Sequence, residues 1–279
     1  MIRWYADNSE TKSAPHIAIP DIQLFGGIAA NEASCAELSS TIKSIKSSYR
    51  KIPDFPLKWC FKDLERDYRE SRLTKLYAKL LQEWPAWRTE IFNRISKIEL
   101  KIFVSVISSY GSCRSTLLDT KEDVTRFGFS NALQRVGLFV KRASSGPAEV
   151  ILDWPDKSNK SLFDHEYKSA FQKGSSAFYG SGYKCGPLKD LGFSDSVLFT
   201  SMNQCCLLQI SDMIVGACRE LVEEALGRRC NSLGTRLLRI VRDKIDGAPG
   251  SAVGWGIAIS PTQGGFYEKI RDKVHELYA

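Results

Sequence analysis

Apolar and polar residues alternate along this chain in two periods, one near two residues and one near 3.6, and the switches between them outline its elements. The run Met1 to Ala6 predicts a strand. A loop containing Pro15 and Pro20 follows, then a second strand near Ile22 to Ala30 broken by Gly26-Gly27. A helix is predicted over about Ala36 to Tyr49 and a short strand around Phe55 to Phe61. From Asp63 to Ile95, Leu64, Leu73, Leu76, Tyr77, Leu80 and Leu81 form a stripe with charges elsewhere, the pattern of a long helix interrupted near Pro85. The strand Ile98 to Ile107 loses its alternation in its second half, as a strand buried on both faces does.

The second half continues the pattern. Thr120 to Arg142 reads as helix, stopped by Ser144-Ser145-Gly146-Pro147, and the next strand closes on Asp153. A helix around Leu162 to Gln172, a Gly/Ser-rich loop from Gly174 to Gly186 and a short strand near Ser196 to Thr200 lead into a long apolar helix, Gln204 to Leu226. The expectation is one α/β domain over residues 1–226, with a mixed central sheet flanked by helices, and a helical C-terminal extension (227–279) packed on it.

Composition narrows the class. With 43% apolar residues in 279, the chain has the means for a real core. No stretch approaches the roughly 20 apolar residues of a membrane span, and the N terminus lacks the pattern of a signal peptide, so a soluble, cytoplasmic protein that does not enter a membrane is expected. The eight cysteines, Cys113 among them, form no C-x-x-C pair and read as reduced thiols. Only His16, His165 and His275 are available, so any metal site should be oxygen-lined.

The charge of +7 gathers in two clusters: Lys43, Lys46, Arg50 and Lys51, and Arg228, Arg229, Arg236, Arg239, Arg242 and Lys244. Such clusters suit phosphate backbones, and they equally suit solvated helix faces.

The candidate chemistry is carboxylate chemistry. Gln209 and Asp212 stand three apart, on one face of a helix whose apolar set marks it as buried, and a buried carboxylate needs a partner. Asp7 and Asp153 follow strand-like runs, where an aspartate also commonly caps a helix or starts a turn. Asp212 has a similar alternative in a pairing with Arg219 or Lys58. If the three converge, they are suited to Mg²⁺ or Mn²⁺, and a pair of such ions about 3.5–4 Å apart serves phosphodiester hydrolysis. Gln209 is then placed to hold a water or a phosphate, and Gly216 to let another backbone come close.

Other constellations carry less. Ser105, Ser108 and Ser109 lack a nucleophile elbow, and the run Phe178 to Gly182 lacks the ending of a phosphate loop. Asp164, His165 and Glu166 are consecutive on a predicted helix and point in different directions. Trp84, Trp87 and Trp154 offer rings for base stacking, with buried packing as the expected use.

The ordered elements Trp4-Tyr5-Ala6-Asp7-Asn8-Ser9, Leu57-Lys58-Trp59, Val150-Ile151-Leu152-Asp153, Phe193-Ser194-Asp195-Ser196 and Gln209-Ile210-Ser211-Asp212 resemble the "domain of unknown function 3800" family over residues 1 to about 226. That resemblance implies a ribonuclease-H-like fold, a nucleic-acid substrate, and an association with mobile elements or phage defence. It carries the family's aspartates onto Asp7, Asp153 and Asp212 and its Gln-x-x-Asp element onto Gln209 and Asp212. Asn8, Glu10 and Pro56 depart from the pattern; Asn8 keeps a carbonyl oxygen, and Glu10 is a substitute carboxylate at another angle.

The resulting expectation is a Mg²⁺- or Mn²⁺-dependent nuclease. Asp7, Asp153 and Asp212 hold metal, Gln209 assists, and Lys58, Asn8, Arg236 and Arg239 contact DNA or RNA. The alternative is a non-catalytic scaffold or nucleic-acid-binding subunit with a protein partner in a defence complex.

Overall fold

Period-two alternation places successive side chains of the first strand in different cores: Trp4 and Ala6 join one apolar cluster, and Tyr5 between them joins another. The computed structural model describes all residues except 13–15, 17–18, 50–54, 113–117, 145 and 155–159. Pro15, Arg50, Lys51, Cys113 and Ser145 lie outside the described residues.

The strands are β1 (Ile2–Thr11), β2 (Ile22–Asn31), β3 (Lys101–Ser108), β4 (Ala148–Asp153), β5 (Leu198–Thr200) and β6 (Ile257–Ser260). They form one mixed sheet in the order β5-β4-β1-β2-β3-β6. β1, β2 and β3 pair antiparallel, while β4 lies parallel to β1, β5 to β4 and β6 to β3. The helices are α1 (Glu32–Ser48), α2 (Glu65–Glu70), α3 (Thr74–Gln82), α4 (Trp84–Ile95), α5 (Ser109–Ser112), α6 (Lys121–Ala143), α7 (Lys160–Lys173), α8 (Cys206–Ala225), α9 (Leu233–Ile240), the short turn α10 (Ala252–Trp255) and α11 (Gly265–His275). The chain is thus an α/β protein with a helix-flanked mixed sheet.

Each face of the sheet has its own core. Leu24, Ile28, Ile102, Val104 and Ile151 face the side covered by α1, α4 and α8; Phe25, Ala29, Phe103, Val150 and Leu152 face α6 and α7. Burial on both faces explains why β3 reads as a continuous apolar run.

Several expectations change. β1 runs on to Thr11, so Asp7 lies inside a strand, paired with Gly26, and not after its end. β2 is unbroken. A Cβ on Gly26 would lie 2.1 Å from the Phe103 carbonyl oxygen, and one on Gly27 would meet the Tyr5 carbonyl and the Ser211 hydroxyl, so these glycines let α8 and the neighbouring strands close up. The helix expected over 63–95 is three helices. Arg72 adopts φ 59° between α2 and α3, and Pro85 occupies the first turn of α4, where an amide N–H has no helical partner to lose.

No strand forms over 55–61: residues 55–58 are irregular, and a 3₁₀ turn spans Phe61–Leu64. The amides of Leu57 and Trp59 go to side chains of α8 and not to a strand. The C-terminal segment is not purely helical either, because β6 adds the sheet edge beside β3. Among the described residues no helix is long and apolar enough to cross a membrane. The seven described cysteines are free thiols.

Candidate functional site

The period of two sets Asp7 on the face of Tyr5 and Asp153 on the face of Ile151, the side of the sheet that α8 covers. Ala6 pairs with Leu152 across β1 and β4, so the two aspartates are successors of paired residues on adjacent parallel strands. α8 crosses β1 and β2 and brings Asp212 to them. All three line one open cleft of ≈ 560 Å³, and each remains partly exposed to it.

α8 is docked by Ser211, whose Oγ donates to the Tyr5 carbonyl at 2.8 Å. That contact fixes the height at which the next residue, Asp212, meets the sheet.

Each carboxylate has a defined backbone donor. Asp7 Oδ1 accepts from the Asn8 amide at 2.7 Å, Asp153 Oδ1 from the Met202 amide at 2.9 Å, and Asp212 Oδ2 from the Trp59 amide. Asp153 thus takes a donor from a segment 49 residues away. Asp212 makes its direct bond to Trp59, while Lys58, Arg88 and Arg219 act on it through their charge.

Electrostatics tie the three together. Burial raises the Asp7 carboxyl well above its ordinary range, and the charges of Asp212 and then Asp153 raise it further, against the Asn8 amide and Lys58. Asp212 is pushed up to about 6, chiefly by burial, with the Trp59 amide, Lys58, Arg88 and Arg219 opposing. A group of carboxylates held in this way favours a proton or a metal cation.

Gln209 plays a different part from the one its position suggests. Its side chain is 1% exposed; Oε1 accepts from the Leu57 amide at 3.1 Å and Nε2 donates to the Met202 carbonyl at 2.9 Å. Both ends are committed to backbone, so Gln209 braces the segments that supply donors to Asp212 and Asp153. Gly216 likewise admits a ring and not a backbone: a Cβ there would lie 2.1 Å from the Trp59 indole.

Lys58 and Asn8 line the cleft, whereas Arg236 and Arg239 do not. Those two are exposed, three apart on α9. The rest of their cluster is largely engaged: Arg228 with Asp21, Arg229 with Glu220 and Glu223, and Arg242 with the Leu277 carbonyl. Glu10 does not stand in as a cleft carboxylate; it pairs with Lys121 at 2.7 Å and Lys12 at 3.5 Å. Of the polar trio on α7 only Glu166 is buried, and it receives the Ala177 amide of the Gly/Ser-rich loop.

Arg88 is a site residue that the sequence pattern did not single out. It is 4% exposed, lies 4.1 Å from the Trp59 ring centre and 4.4 Å from that of Trp84, and donates to the Trp59 and Lys58 carbonyls. Burial pushes its guanidinium down to about 10. The signal for it is local: Trp84 and Arg88 are four apart on one helix face.

As a metal site the cleft is all oxygen at its three aspartates, which suits Mg²⁺ or Mn²⁺. Among the described residues, however, no group of three or more His, Cys, Asp or Glu side chains meets as a preformed metal site. Compared with known family models, curated proteins and solved structures, the chain matches none.

Proposed function

We propose that this cleft binds nucleic acid and hydrolyses phosphodiester bonds with Mg²⁺ or Mn²⁺ held by Asp7, Asp153 and Asp212. The observation that carries the reading is that three carboxylates from β1, β4 and α8 share one cleft, where the charges of two raise the pKa of the third. The mixed, helix-flanked sheet and the resemblance to a ribonuclease-H-like family support it. A divalent ion bound there supplies charge neutralisation and water activation.

The protein's own groups do the rest. The Met202 and Trp59 amides hold two carboxylates in orientation, and Lys58 offers a cation to a phosphate at the same mouth. Asp7, Asp153 and Asp212 would hold the ion, and water and phosphate oxygens would supply its remaining ligands.

The test is cleavage of DNA, RNA and hybrid substrates by purified protein. Loss of cleavage with EDTA and with Asp212→Asn, the fold intact, supports the mechanism; metal-independent cleavage sinks it.

A second reading is a non-catalytic scaffold or nucleic-acid-binding subunit of a defence complex, favoured by Asn8 and Pro56, which stand where the family pattern has acidic residues. It expects partner binding and biological function to survive in an Asp7/Asp153/Asp212 triple alanine variant. A functional defect that tracks those carboxylates rejects it.

A further inference from the structure

Trp154 directly follows Asp153, and its amide donates to the Thr200 carbonyl at 2.9 Å, so β5 fixes its backbone. Its side chain does not take the packed position expected of it: the residue is 49% exposed, while Trp4 and Trp87 are fully buried. The Lys160 ammonium lies 3.1 Å from the ring centre. Trp154 lines the same cleft as the three aspartates, together with Phe25, Leu162 and Phe163.

The lining thus joins two characters: apolar and aromatic side chains at Trp154, Phe25, Leu162 and Phe163, and charged ones at the three aspartates, Lys58, Lys121, Glu122 and Arg126. A nucleotide joins the same two characters, a flat apolar base and an anionic phosphate. We propose that the Trp154 indole is a stacking platform for one unpaired base, so that the cleft takes single-stranded nucleic acid, with the adjoining phosphate toward Asp7, Asp153 and Asp212.

Inside a duplex each base is already stacked on both faces and cannot reach the ring. Base stacking on an aromatic outcompetes an exposed contact between a lysine and that aromatic, so the base displaces Lys160 from the ring and leaves its ammonium near the phosphate. The inference rests on the phosphodiester reading for the position of the phosphate, but the stacking contact is tested by itself.

The experiment is fluorescence anisotropy in Ca²⁺ in place of Mg²⁺, which keeps the carboxylates neutralised, with a labelled single-stranded oligonucleotide shown by electrophoresis to stay intact, the same strand carrying abasic residues, and a blunt duplex. Wild type should prefer the intact single strand, Trp154→Ala should weaken that binding about ten-fold, and Trp154→Phe should restore most of it. Thermal unfolding of each variant confirms the fold.

Equal binding of single strand and duplex, equal binding of the abasic strand, no change in Trp154→Ala, or no binding by wild type each overturn the proposal. Trp154-dependent binding without any metal-dependent cleavage keeps the platform and rejects the nuclease reading. Cleavage and binding unaffected by Trp154→Ala do the reverse.

Discussion

Gln209 donates to the carbonyl of Met202 at 2.9 Å, and the amide of the same Met202 donates to Asp153 at 2.9 Å. One peptide segment thus connects a buried amide on α8 to a cleft carboxylate at the end of β4. The other end of Gln209 takes the Leu57 amide, two residues before the Trp59 amide that holds Asp212.

Gln209→Leu should therefore destabilise the protein and loosen two carboxylates together. It leaves a buried N–H and a buried C=O without partners, at about 1–3 kcal/mol each, so a loss of roughly 2–6 kcal/mol is expected in urea unfolding. A midpoint equal to wild type would refute the brace.

Asp212 makes stability depend on pH in a stated direction. Its ordinary value is 3.8 and its folded value about 6, so between them the folded protein holds a proton that the unfolded chain has released. The stabilisation is fully present below about pH 4 and is lost as pH rises through about 6. The metal-free protein should show this decline, and Asp212→Asn should flatten it. Mn²⁺ affinity, measured by calorimetry, should rise over the same window as protons cease to compete, and Asp212→Asn should abolish binding. A difference between wild type and variant that does not vary with pH would count against the coupling.

Gly216→Ala places a methyl group into the Trp59 indole. Overpacking of this kind costs about 1–3 kcal/mol, and here the ring that must move sits on the segment carrying Lys58 and the amide donor of Asp212. Near-ultraviolet circular dichroism should report a displaced tryptophan alongside lowered stability. An unchanged spectrum and midpoint would show that the fit is not tight.

Arg236 and Arg239 lie outside the cleft, so their part in binding is separable from catalysis. Charge reversal of both should weaken nucleic-acid binding and reduce the slope of log affinity against log salt, by about 0.7 for each phosphate of a single strand that is no longer neutralised. Unchanged affinity and slope would identify the pair as a solvated helix face.

What the sequence by itself determined was the placement of apolar surface. Periodicity reports burial, and burial is a local demand of each element, so α8, the long helix α6, the doubly buried β3 and the strand closing on Asp153 were all legible. The tertiary structure decided which polar groups meet. The Leu57 amide that Gln209 accepts and the Trp59 amide that Asp212 accepts lie 152 and 153 residues away, the strand that completes the sheet edge comes from the C-terminal segment, and those two amides go to helix side chains instead of a neighbouring strand. Hydrogen bonds between distant segments leave no period in the sequence. Gly216 and Trp59 met for the same reason: the space for a ring is set by how two segments pack, and neither segment states it alone.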